Sequence, residues 1–379
     1  MSSENYPEKT LELISTLSVD GSVTVIMREA AIPKPGPTEV VVRVEAAPIN
    51  PSDIGTLFAH GEVTEAQSID AEGMPGVRIP VSEAAQRAQL ARVGAAMPVG
   101  NEGGGTVIAA GSSTSAQAAV GRVVGFFSRN AYAQYRTIDI SQCTVMGEGV
   151  TAEQAAAANV NPLTALGMVE TMRYEGHAAL VHTVGASNLG LMLGRVCQAD
   201  GVDLVNIVRS PEQSARLRSQ GEQWVCDSSG AGFESDLLAA IEATGATIAF
   251  DAIGGGSMAD TLLAVMELSL SSQALEYRPY GSETRKQIYV YGGLDPAATV
   301  LTRRYGMQWA VGGWLLAHFL RKIGSEAEAG LRRRIASEIT TTFASEYGLR
   351  LSLADVVDPV HVKQFARTAT GGKAIVRLL

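Results

Sequence analysis

Residues 39–47 read EVVVRVEAA, with Val40, Val42 and Val44 alternating against Val41, Arg43 and Glu45, the period-two pattern of a half-buried strand. Further apolar runs at residues 105–110, 121–127 and 131–138 are set apart by Gly and Ser clusters. The first third of the chain is therefore expected to be a multi-stranded or barrel-like β domain. Residues 62–97 interrupt this texture: they show little strand pattern, and residues 82–92 (SEAAQRAQLAR) predict a short capped helix stopped by Gly94.

After Gly149 the pattern changes. Thr151-Ala-Glu-Gln154 is a capping-box signature that opens an alanine-rich helical run. Apolar runs of strand length follow at residues 179–184, 202–208, 223–226, 247–253, 287–291 and 308–311. Helical patterns lie between them. Leu189, Leu193, Val196 and Cys197 share one face, Leu237, Leu238 and Ile241 another, and Ser257-Met-Ala-Asp260 is expected to cap a third helix. Strand and helix in alternation predict an α/β unit with a doubly wound parallel sheet. The block from about Phe343 to Leu379 returns to strand-like runs such as residues 373–379, and is expected to pack back onto the first domain.

Composition narrows the class. At about 150 residues per domain, 379 residues give two domains, and 46% hydrophobic with 18% charged residues excludes disorder for most of the chain. A formal charge of −9 argues against general nucleic-acid binding. Arg303-Arg304 and Arg332-Arg333-Arg334 look basic, but the flanking Glu326, Glu328 and Glu338 suggest a solvated helix face. Cys143, Cys197 and Cys226 have neither disulfide nor metal-knuckle spacing, which fits a reducing, cytoplasmic setting. Residues 1–10 do not read as a signal peptide, and the longest apolar stretch, residues 307–320, is too short to span a bilayer and contains His318. No membrane association is expected.

The most informative local feature is Gly185-Ala186-Ser187-Asn188-Leu189-Gly190, which follows a predicted strand and opens a predicted helix. A dinucleotide turn needs a first glycine for the tight bend, a small second residue for backbone approach to pyrophosphate, and a third glycine for helix packing. Here Ser187 stands at the middle position. An ordinary strand-to-helix turn is the alternative, and the βαβ context favours the cofactor. Cofactor choice is read at the end of the second strand, where Arg209 and Ser210 stand, with Arg216 nearby and no acid to grip a ribose 2′-hydroxyl. Asp203 opens that strand, about 20 Å away at ~3.3 Å per residue. A guanidinium suits a 2′-phosphate, so NADPH is expected over NADH, unless Arg209 is merely a solvated loop charge.

Ala47-Pro-Ile-Asn50-Pro-Ser-Asp53, Gly100-Asn-Glu102-Gly-Gly-Gly105, Asn161-Pro-Leu-Thr164-Ala165, the glycine turn and Gly371-Gly-Lys373-Ala-Ile-Val resemble, in order and spacing, the medium-chain dehydrogenase/reductase superfamily. The match covers nearly the whole chain and is closest to the zinc-free NADPH:quinone oxidoreductase-like branch. It implies a GroES-like β-rich domain over residues 1–155 and 343–379, and a six-stranded Rossmann NADPH-binding domain over residues 156–342. It also implies a cofactor cleft between the domains, with Asn50 near the nicotinamide and Thr164 on the helix lining it. Ile253, Gly254 and Gly255, then Gly292, Gly293 and Leu294, would follow strands that face the cofactor, with Gly313 and Trp314 approaching the nicotinamide. A homodimer is implied as well.

Alcohol dehydrogenases of this superfamily hold a catalytic zinc, but here Asn101 stands at the ligand histidine's position and residues 49–51 at the first cysteine's. His60, His177, His182, His318 and His361 have no mutual metal spacing, so no metal is expected. Without a Lewis acid, the acceptor should already be activated by conjugation, as in quinones and α,β-unsaturated carbonyls. Asn50 is the candidate polar contact and Thr164 the candidate for cofactor positioning; a purely structural hydrogen bond is the alternative for both. This branch often carries tyrosine after the Asn-Pro motif, whereas residues 54–61 read IGTLFAHG. His60 could serve as proton donor there, or be simply solvated. The missing tyrosine lowers the case for a 2-enoyl thioester reductase; a non-catalytic NADPH-binding protein is the rival from another class. Residues 62–97 read as an insertion, either a lid at the substrate entrance or the decoration of a dimer surface.

Overall fold

The computed structural model describes residues 6–274, 276, 278–366 and 373–379; Gly371 and Gly372 of the closing motif lie outside the described residues. The chain divides into two compact units, Met1–Val160 with Arg332–Leu379, and Asn161–Leu331.

The first unit opens with β1 (Lys9–Leu17), β2 (Ser22–Ala31) and β3 (Glu39–Ile49), followed by the short helix α1 (Pro51–Phe58). Val40, Val42 and Val44 are buried in the main core, as the alternation predicts. Val41 is buried too, because the opposite face of β3 packs against Ile32 and Ala109.

Residues 62–97 differ from the sequence expectation. They form β4 (Gln67–Ala71), β5 (Met74–Pro80), helix α2 (Glu83–Ala88) and β6 (Ala96–Pro98). Glu72 and Gly73, with φ of 57° and 84°, make the two-residue turn between β4 and β5, the primed geometry that matches strand twist. Pro75, Gly76 and Pro80 obscure the alternation in sequence, yet Val77 and Ile79 point into the core while Arg78 reaches Asp20. β5 and β6 extend the sheet as β4-β5-β2-β1-β6. Ser82 caps α2, and the Arg92 guanidinium donates to Ser15 Oγ (2.6 Å) and to the Thr56 carbonyl. The segment is thus woven into the sheet and tied to the end of α1.

Next come β7 (Glu102–Ala110), α3 (Thr114–Ala118), β8 (Val123–Phe127), β9 (Tyr135–Asp139) and β10 (Cys143–Val145). Helix α4 (Ala152–Ala155) starts with the predicted Thr151/Gln154 capping box. The alanine-rich run is not one helix, since α4 ends and α5 (Val160–Tyr174) begins anew.

In the second unit, β11 (Ala179–His182), β12 (Asp203–Val208), β13 (Trp224–Asp227), β14 (Ile248–Asp251), β15 (Lys286–Val290) and β16 (Trp309–Gly313) alternate with α6 (Asn188–Asp200), α7 (Pro211–Ser219), α8 (Phe233–Thr244) and α9 (Met258–Ser272). The strands form one six-stranded sheet in the order β13-β12-β11-β14-β15-β16, every pairing parallel. This is the doubly wound Rossmann order, which reverses direction beside β11. One predicted cap fails. Ser257 makes no side-chain cap on α9, and the Asp260 carboxylate instead accepts from the Thr302 N–H (2.6 Å) and hydroxyl (2.8 Å).

Helix α10 (Leu316–Glu338) breaks at Gly324, whose φ is 81°. Arg332 is not a solvated charge as expected: it is partly buried and donates to Asn159 Oδ1 (2.6 Å) and Thr144 Oγ1 (3.1 Å). The chain then adds β17 (Tyr347–Ser352), α11 (Pro359–Phe365) and β18 (Lys373–Arg377) to the first unit. β18 pairs with β3 and completes the order β10-β8-β7-β3-β18-β17, with β9 also on β3.

Candidate functional site

In the parallel-sheet unit the candidate residues gather at the carboxyl ends of the strands. The predicted glycine turn links β11 to α6. Ser187 is the N-cap, its hydroxyl accepting from the Gly190 N–H at 3.0 Å. A Cβ on Gly190 would lie 2.3 Å from the Gly185 carbonyl oxygen, and one on Gly185 would lie 2.6 Å from Asn206 Oδ1. Neither position admits a side chain. The turn can therefore present only backbone and small groups at the start of a 13-residue helix, which suits an anionic diphosphate. Ala186 packs beside Val208 and Leu217, Asn188 opens α6, and Leu189 is half-buried.

Arg209 follows β12 directly. Its backbone N–H donates to Gln213 Oε1 (3.1 Å), its side chain is exposed, and Ser210 caps α7. The guanidinium has no ion-pair partner among the described residues, so it stays available to a phosphate.

After β14 the chain passes through Ile253 and Gly254, after β15 through Gly292, Gly293 and Leu294. Asp251, fully buried, holds the first of these loops. Its Oδ1 accepts from Thr183 Oγ1 and the Ile253 N–H, both at 2.9 Å, and its Oδ2 from the Gly254 N–H at 3.1 Å. The two loops touch so closely that a Cβ on Gly254 would fall 2.8 Å from the Gly292 carbonyl oxygen. Gly293 and Leu294 are exposed.

Beside them a pocket of about 340 Å³ is lined by Tyr291, Gly292, Gly313, Trp314, Leu315 and His318. Trp314 is fixed by its indole N–H on Thr171 Oγ1 (3.1 Å) and by an edge contact with Phe250. Thr171 lies on α5, the helix that also carries the buried Thr164. Sequence reasoning named Gly292, Gly313 and Trp314 here but missed Tyr291 and its partner. His182, at the end of β11, meets the Tyr291 hydroxyl at 2.6 Å through Nε2, and burial pushes its pKa down to about 3. Its imidazole is neutral at physiological pH.

In the β-rich unit Asn50 is the N-cap of α1, and its backbone N–H donates to Asp53 Oδ2 at 2.9 Å. The Asn50 amide Nδ2 donates to Glu102 Oε1 at 3.0 Å. Asp53, Glu102 and Lys373 are all buried around it, and none was singled out individually from sequence. Burial, aided by Glu102, pushes the Asp53 carboxyl up to about 7. His60 is not brought to this cluster. It lies beyond the other end of eight-residue α1, about 12 Å along the axis at 1.5 Å per residue, and is exposed with φ of 55°.

Asn101 is engaged locally, its N–H on Asp53 Oδ1 (2.9 Å) and its Nδ2 on Ser52 Oγ (3.1 Å). Among the described residues, no three His, Cys, Asp or Glu side chains gather as a metal site would require. All three cysteines are buried free thiols, with Cys143 pushed up to about 12 by burial. No helix of the described residues is long and apolar enough to cross a membrane.

Residues 36–165 match the alcohol dehydrogenase GroES-like domain family. The quinone oxidoreductase of Pseudomonas aeruginosa is 26% identical over 159 residues, 41% of this chain and 49% of that protein. The chain spans no more than about half the length of the curated relatives it matches. Among solved structures, a proposed NADPH:quinone reductase from Mesorhizobium loti superposes with a TM-score of 0.71 at 24% identity, covering 98% of this chain and 99% of that one. A mycobacterial protein solved with NADPH gives 0.66 at 20% identity, covering 97% and 99%. These structural likenesses concern the fold. The chain thus combines a GroES-like β domain with a six-stranded Rossmann sheet. Residues 36–165 accordingly belong to the GroES-like domain family, and the whole chain shares the fold of those solved structures.

Proposed function

We propose that the protein is an NADPH-dependent oxidoreductase of the zinc-free, quinone oxidoreductase-like branch, reducing a quinone or another α,β-unsaturated carbonyl. The observation that carries this reading is the glycine turn at the reversal point of the parallel sheet, with an exposed Arg209 at the end of the neighbouring strand. Bound NADPH would supply hydride.

The chain's own residues would do the rest. The turn from Gly185 to Gly190 would cradle the diphosphate, Arg209 and Ser210 the 2′-phosphate, and the loops at Ile253–Gly254 and Gly292–Leu294 the nicotinamide half. Trp314 and Tyr291 would wall the pocket and exclude water. Thr164 would position the cofactor, and Asn50 would make a polar contact at its nicotinamide end.

The zinc-free assignment is supported by the donor set, since an amide occupies position 101. With no tyrosine in residues 54–61, a quinone is favoured over a 2-enoyl thioester, because reduced quinone oxygens can take protons from water. The buried thiols accord with a cytoplasmic setting, and we propose a homodimer, testable by size-exclusion chromatography.

The deciding assay follows NADPH and NADH absorbance with a 1,4-quinone, a simple enone, a 2-enoyl thioester and no acceptor. Faster NADPH loss with quinone is expected. NADPH binding without turnover of any acceptor would refute the enzyme reading and leave a non-catalytic NADPH-binding protein.

A further inference from the structure

We propose that Glu102 is a positioning residue that fixes the orientation of the Asn50 amide, with Lys373 as its buried counter-charge, so that Asn50 serves the cofactor as an acceptor. The inference rests on the role given to Asn50 above. Glu102 is fully buried at the start of β7. Its Oε2 accepts from the Asn159 N–H (3.0 Å) and the Val160 N–H (2.8 Å), where α5 begins. Its Oε1 accepts from Asn50 Nδ2 (3.0 Å) and lies 3.5 Å from Lys373 Nζ. A carboxylate held by two backbone donors, an amide and a cation is satisfied without water.

The chemistry of the partners sets the direction of the amide. An ionised carboxylate only accepts, so Asn50 must turn Nδ2 toward Glu102 and Oδ1 away from it. An amide oxygen receives N–H and O–H donors, such as a cofactor carboxamide or ribose hydroxyl. It repels the oxygen of a carbonyl substrate. With one Nδ2–H held by Glu102 and Oδ1 turned away from it, the role proposed for Asn50 is that of an acceptor in cofactor binding and orientation.

Charge balance supports the arrangement. Lys373 is one cation facing two buried carboxyl groups, and the second, Asp53, has its pKa raised by burial and by Glu102 itself. A proton on Asp53 relieves the excess of buried negative charge around Lys373, whose own pKa is lowered by burial.

Two variants separate position from charge. Glu102→Gln with Lys373→Met removes both charges and leaves no unpaired ammonium. Glu102→Asp keeps the charge opposite Lys373 but is one methylene too short for Asn50. Both are expected to lower kcat at least about tenfold and to raise KM for NADPH, with KM for the acceptor within twofold. Thermal unfolding identifies the folded variants. A folded variant of either kind with wild-type kcat and KM for NADPH would overturn the positioning role alone. A raised KM for the acceptor with unchanged KM for NADPH would overturn the acceptor assignment of Asn50. Wild-type protein that turned over no acceptor would remove the reductase reading and this inference with it.

Discussion

Replacing Arg209 with alanine should weaken NADPH binding and leave NADH binding nearly untouched. The guanidinium stands exposed just past β12, with no ion-pair partner among the described residues, so its removal breaks nothing in the protein. Only the backbone N–H of Arg209 is used internally, on Gln213 Oε1, and alanine keeps it. A hydrogen bond to a charged group contributes about 1.5–3 kcal/mol, and exposure moves this toward the lower end because salt screens it. At about 1–2 kcal/mol, NADPH should bind roughly 5- to 30-fold more weakly in Arg209→Ala. Fluorescence titration of both cofactors against both proteins, at low and high salt, measures this directly. The NADPH gap between the proteins should narrow as salt rises. Equal weakening of NADPH and NADH, or an unchanged Kd for NADPH, would refute the assignment of the 2′-phosphate to Arg209.

Gly190→Ala should abolish detectable NADPH binding, since the new methyl would sit 2.3 Å from the Gly185 carbonyl oxygen and the turn must move; isothermal titration checks it. Lys286 is fully buried and lies 2.6 Å from Glu267, so Lys286→Met should cost about 3 kcal/mol in urea unfolding by stranding that carboxylate. His182 makes the fold acid-sensitive. Its folded pKa of about 3 lies below the unfolded value of 6.5, so the unfolded chain binds the extra proton and stability falls with pH between those values. From pH 7 to 5 this amounts to about 2 kcal/mol, and His182→Asn should lose that much less than wild type over the same interval. Asp53 acts in the opposite sense. With its pKa raised from 3.8 to about 7, its protonated form favours the folded chain at low pH, and that contribution is lost as pH rises through 7. Asp53→Asn should therefore show a steeper acid loss than wild type in the same measurements.

The features legible in sequence were those with a local cause. All six parallel strands lie on short apolar runs, because buried strands need apolar residues on both faces. The glycine turn was legible because Gly185 and Gly190 answer a steric demand within six residues. The hairpin of β4 and β5 was not, since its edge strand is mostly exposed and prolines break the alternation. Ser257-Met-Ala-Asp260 had the form of a cap, but Thr302, distant in sequence, takes the carboxylate. Glu102, Asp251 and the His182–Tyr291 pair depend on partners that folding brings in from elsewhere. The available signals among them were Asp251, an acid ending a strand two residues before Ile-Gly-Gly, and Glu102, an acid inside the glycine cluster of residues 100–105.

Strand β18 has a consequence for biogenesis. It hydrogen-bonds to β3 through pairs such as Ala374 with Ile49, so the first unit cannot close its second sheet until residues 373–377 have been synthesised. The Rossmann unit between them has all its strands before that point and can mature first during translation. A ribosome-stalled chain ending before Lys373 should accordingly protect the amides of β11–β15 from hydrogen exchange while residues 46–49 of β3 still exchange. Until β18 pairs there, that open edge is a place where chaperones or neighbouring nascent chains can pair.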